Sequence, residues 1–121
     1  MPTHEFQVAV REREGVAVID LSGELNSSAE EVLDAAYAEA TSGSAKAVAL
    51  NFEGADYINS TGIALIVGVL AQARKSGIEV KAFGLSDHYR EIFEITRLAD
   101  FMTIADNEDG ALGATEGSSD A

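Results

Sequence analysis

An α/β domain built on a five-stranded, mostly parallel sheet is the fold this sequence predicts, and three observations lead to it. Short apolar segments of strand character alternate with longer segments of helical periodicity, in the order ββαβαβαβ. The first two strand segments are separated only by a polar turn, so they are expected to pair as an antiparallel hairpin. The third, residues 47–52, is apolar on both faces, as a strand in the middle of a sheet must be.

Each element has its own signal. Residues 6–11 alternate, with Phe6, Val8 and Val10 on one face, and Glu12-Arg13-Glu14-Gly15 turns the chain into a second strand over 16–21. Asn26-Ser27-Ser28 precedes a first helix, where Ser27 with Glu30, or Ser28 with Glu31, is placed for a capping box. Ala29, Val32, Leu33, Ala36, Tyr37 and Ala40 recur at helical spacing, and Gly43 is the expected left-handed stop. A second helix is expected over 61–75, ending at Gly77, then a strand over 78–83. A third helix follows over 86–98 with Tyr89, Ile92 and Phe93 inward, and a last short strand over 101–104. Residues 1–112 form the expected domain, with room for a short helix around Ala111. Residues 113–121, acidic and rich in Gly and Ser, read as a disordered tail.

Composition narrows the function. The 121 residues carry 8 basic and 21 acidic side chains, a formal charge of −13, and only five of the acids lie from Asp106 onward. The folded part is therefore acidic too, a field that repels nucleic acid and anionic lipid. With no cysteine there is no disulfide, thiolate metal site or cysteine nucleophile. The longest strongly apolar run, residues 63–71, is about half of what a membrane span needs. The first residues lack the basic start and apolar core of a signal peptide, so a cytoplasmic location is expected.

Enzyme chemistry finds no foothold. His4 and His88 are far apart and without partners at ligand spacing. Residues 106–110 superficially suggest a calcium loop, but the glycine falls one place early and Gly117 occupies the position of the bidentate glutamate. There is no Gly-x-Ser-x-Gly elbow, no phosphate-binding Gly-Lys-Ser or Gly-Lys-Thr, and no receiver-type cluster of acids. No metal or cofactor is expected.

One site stands out. Asn59-Ser60-Thr61-Gly62 opens the second helix just after the central strand. Ser60 is suited to be its N-cap, the usual task of a serine that starts a helix. Gly62 removes a side chain where another backbone might approach. Wrapped at helical pitch, Ile63, Ile66 and Leu70 centre an apolar arc of roughly 200°, about twice that of a helix that merely seals a core. Val67 lies to one side of that arc and Leu65 with Val69 to the other, so either the helix is engulfed or the Leu65–Val69 flank meets another protein.

These residues resemble the STAS domain of bacterial anti-sigma factor antagonists. The resemblance spans about residues 6–112. It runs through Leu21-Ser22-Gly23-Glu24-Leu25, Leu50-Asn51-Phe52, Tyr57-Ile58-Asn59-Ser60-Thr61-Gly62-Ile63, Ser76-Gly77 and Leu85-Ser86. It implies a cytoplasmic partner-switching protein that binds an anti-sigma factor, often a serine kinase, and so frees a sigma factor. It also implies inactivation by phosphorylation of Ser60, with Thr61 the secondary acceptor, and reversal by a metal-dependent serine phosphatase. Asn26, Asn59, Ser60, Thr61, Gly62, Leu65 and Val69 are the partner-binding residues this implies. Asn59 and Asn26 stand where the family usually has Asp, which exchanges two flanking charges for neutral amides of similar turn chemistry. The alternative within the fold is a non-phosphorylated scaffold, or a regulatory subunit of a signalling assembly or a lipid-transport ATPase.

Overall fold

The computed structural model describes residues 5–43 and 45–113. The first two strands, β1 (Gln7–Arg13) and β2 (Val16–Leu25), form the antiparallel hairpin, with Glu14 and Gly15 at positive φ in its turn. Then come α1 (Glu30–Ala40), β3 (Ala47–Ile58), α2 (Ser60–Ser76), β4 (Glu79–Phe83), α3 (Asp87–Ile95) and β5 (Thr103–Ala105). A final helix, α4, covers residues 108–113. The sheet order is β1-β2-β3-β4-β5, with every pair after the first parallel and β3 in the centre.

The two faces of the sheet are covered differently. Ile19, Leu21, Val48, Leu50, Val80 and Ala82 point toward the three long helices and join Leu33, Ile66, Val69, Leu70 and Phe93 in the main core. Val16, Val18, Ala47, Ala49 and Phe83 point the other way and pack beneath Ala111 and Leu112 of α4. This two-sided cover is why β3 reads as an unbroken apolar run.

Several local expectations need correction. The second and third strands run on past residues 21 and 52, to Leu25 and Ile58. Their pairing shifts register between Asp20 and Ser22 and between Gly23 and Glu24, each shift placing one extra residue in β3 and breaking the alternation by which that strand is read. No capping box opens the first helix. Asn26 instead caps a 3-10 turn (Ser27–Ala29), its Oδ1 accepting from Ser28 N at 3.0 Å and Ser28 Oγ at 2.7 Å. Nor does Gly43 stop that helix, which ends at Ala40 with Thr41 as its C-cap, the Thr41 hydroxyl donating to Tyr37 O at 2.8 Å. Arg97, at φ 69°, ends the third helix region three residues after Glu94 and leads into a 3-10 turn at Leu98–Asp100. Gly113, expected to begin the tail, is still helical, and 114–121 lie outside the described residues.

Candidate functional site

The C-terminal ends of β2 and β3 build the site. Leu25 and Ile58 are register partners in this parallel pair, so the residues that follow them, Asn26 and Asn59, leave the sheet side by side. The backbone ties them: Asn59 N donates to Leu25 O at 3.2 Å. The first turn of α2 lies so close to this strand end that a Cβ on Gly62 would collide with the Leu25 carbonyl. Gly62 is therefore a packing requirement and is itself buried.

Asn59, rather than Ser60, is the N-cap of α2. Its Oδ1 accepts from Gly62 N at 2.8 Å and its carbonyl accepts from Ile63 N at 2.9 Å. Asn and Ser are equally good caps, so sequence alone does not rank them; the Leu25 contact fixes Asn59 in the extended cap conformation. Ser60 becomes the first helical residue, exposed, with its hydroxyl free of any capping task. Its own amide and that of Thr61 belong to the first helical turn, where N–H groups have no acceptor in the helix and the macrodipole favours negative charge.

Around Ser60 the structure sorts the expected partner-binding residues. Thr61 is exposed beside it, and Asn26 is half-buried and engaged in its own turn. The Leu65–Val69 flank needs correction. Val69 is 4% exposed and belongs to the main core, and Leu65 is half-buried against that core. The helix is thus largely engulfed on that side, and the face left to solvent is the opposite one. Thr61, Ala64, Val67, Gly68 and Ala71 are exposed there, with Val67 at 45%. Reading the helix from a buried Gly62 would have found this, since positions 62, 66, 69, 70 and 73 form one inward stripe. Tyr57, 54% exposed just ahead of the cap, is a further surface residue that sequence reasoning did not single out for binding.

The amides at 26 and 59 both do turn work, each accepting a first-turn N–H. Among the described residues no group of three or more metal-ligating side chains is brought together, and no helix is long and apolar enough to cross a membrane.

Comparison with known proteins agrees with this geometry. The sequence profile of the STAS domain matches residues 7–111. BtrV of Bordetella bronchiseptica, named as a candidate anti-sigma factor antagonist, is 30% identical over 101 residues, covering 84% of this chain and 87% of BtrV. Among solved structures, the Bacillus cell fate determinant SpoIIAA in its phosphorylated form superposes with a TM-score of 0.67 at 25% identity, over 92% of this chain and 99% of that one. An anti-sigma factor antagonist from Mycobacterium paratuberculosis shares the fold with a TM-score of 0.74 at 22% identity, over 91% and 93% of the two chains. The chain belongs to the STAS-domain family of anti-sigma factor antagonists.

Proposed function

We propose that this protein is a binding switch. With Ser60 unmodified it binds an anti-sigma factor and so releases a sigma factor. Transfer of a phosphoryl group from ATP to Ser60 Oγ, by an anti-sigma factor that is itself a serine kinase, ends that binding. A metal-dependent serine phosphatase resets it. The observation that carries this reading is the placement of Ser60: exposed, relieved of capping by Asn59, and continuous with the solvent face of α2. That a SpoIIAA structure exists in a phosphorylated form adds support from a relative.

The physics of the position suits a switch. A phosphoryl group brings about −1.5 to −2 charges at neutral pH. At the first turn of a helix it meets free amides and the positive end of the dipole, so the fold bears the charge without rearranging. An approaching partner surface loses water from that same charge and bears the cost. Thr61, one residue on, is the secondary acceptor. Asn59 and Asn26 place no carboxylate next to the phosphate, so the modified state is free of that local repulsion.

Incubation with candidate anti-sigma kinases and ATP, followed by phosphosite mapping of wild type and Ser60→Ala, tests the assignment. Phosphate is expected on Ser60, and any that Ser60→Ala still takes up is expected on Thr61. Undiminished phosphate on Ser60→Ala, or a kinase that binds the chain and ignores Ser60, defeats it.

A further inference from the structure

The sheet has a second face, away from α1, α2 and α3. Val16, Val18, Ala47, Ala49 and Phe83 form an apolar cluster there, and among the described residues α4 closes it with Ala111 and Leu112. The helical residues 108–113 draw their stability from packing more than from helix propensity. Two kinds of contact keep α4 in place. Ala111 and Leu112 are 0% and 5% exposed. Glu108 is gripped by Arg11 through two hydrogen bonds, of 3.0 and 3.1 Å, and by Arg13 at 2.7 Å. Just upstream, Asp106 reaches Arg90 of α3 at 2.7 Å and Asn107 Oδ1 caps Gly110 N at 2.8 Å. The segment thus runs from edge strand β5 across the sheet to side chains of the β1–β2 hairpin, as a strap. Its charged contacts are partly exposed and open to screening by salt. An element held by so few buried groups opens long before the core does.

We propose that α4 is a detachable strap over a second docking face. That face accepts from another protein an acidic amphipathic segment of the kind α4 itself presents, with a carboxylate three and four positions ahead of a small and a large apolar side chain. The strap shows the required chemistry in place. Two guanidinium groups fix the carboxylate, and a flat apolar surface receives the Ala–Leu pair. The face lies across the sheet from α2, so its use is independent of Ser60, and this proposal stands or falls apart from the phosphorylation reading.

The test uses the full chain and a fluorescently labelled peptide with the sequence of residues 105–113. Leu112→Asp removes the main apolar anchor of the strap and leaves the sheet residues untouched. The peptide is expected to bind Leu112→Asp about tenfold or more tightly than wild type. That binding should disappear when Arg13→Glu is added. Equal binding to wild type and Leu112→Asp, or binding that survives Arg13→Glu, overturns the proposal. Should Leu112→Asp fail to fold, hydrogen exchange gives the answer through the Ala111 amide, which donates to Asn107 O at 3.0 Å. In Glu108→Gln this amide should exchange about tenfold faster than in wild type while Leu50 is unchanged. An Ala111 amide as slow as Leu50 in both proteins overturns the strap.

Discussion

Three residues within one turn divide the work at the start of α2. Asn59 holds the helix, Ser60 faces solvent, and Gly62 lets the helix approach the end of β2. The division gives opposite expectations for neighbouring substitutions. Asn59→Ala should lower stability by about 1 kcal/mol in urea unfolding, the usual value of an N-cap, while Ser60→Ala should stay within about 0.5 kcal/mol of wild type. A Ser60→Ala loss equal to that of Asn59→Ala would return the cap to the serine. Gly62→Ala should cost about 2 kcal/mol or more, because the methyl group and the Leu25 carbonyl cannot share one space. At this scale the sequence made the site legible and its internal roles less so. The run Asn59-Ser60-Thr61-Gly62 announces a helix start, but which amide or hydroxyl caps it depends on Leu25, a neighbour 34 residues away in the chain.

At the scale of elements, α2 separates what sequence periodicity reveals from what only packing decides. That it is amphipathic with a wide apolar arc follows from the residues. Which flank of the arc stays outside follows from where α1 and the sheet lie against it, and Val69 went inside. Val69→Asp should therefore abolish cooperative folding or cost more than about 3 kcal/mol. Val67→Asp should leave the unfolding midpoint nearly unchanged and weaken partner binding about tenfold or more, read by titration calorimetry. If Val67→Asp binds normally, the solvent face of α2 is not the docking surface. The strands show the same limit in another form. β1 and the start of β3 were readable from alternation and apolar runs, whereas the second half of β3 was hidden by bulges. Phosphorylation at Ser60 should remain a local event at this scale too. Amide chemical shifts should move in residues 25–28 and 57–64 and stay fixed across β4 and α3; shifts throughout the sheet would mean that the charge acts by remodelling the fold.

For the whole molecule, the sheet carries an acidic chain on a few well-placed cations. Arg11 donates to Asp20 at 2.6 and 2.9 Å and also reaches Glu108, joining the hairpin to α4. Both carboxyls are held below their ordinary range, Asp20 chiefly by its hydrogen bond from Arg11, and Glu108 by hydrogen bonds from Arg11 and then Arg13. Carboxyls with lowered folded-state values stabilise the protein above their unfolded values, near pH 4, and that contribution is lost as pH falls through the folded-state values. Urea midpoints should therefore fall as pH drops from about 5 toward 2, and Arg11→Ala should flatten that fall. An unchanged slope in Arg11→Ala would remove this network from the acid response. Alternation and the central apolar strand made the α/β class, the element order and the hairpin at one end readable, but the path of α4 over the second face had no sequence signal beyond a short helical pattern near Ala111. In the proposed switch, charge at Ser60 blocks association while the fold stays intact. The most direct test is the affinity of a kinase-type anti-sigma factor for the unmodified and the Ser60-phosphorylated chain, measured side by side. Phosphorylation should weaken binding roughly a hundredfold, about 2.7 kcal/mol; equal affinities for the two forms would contradict the account.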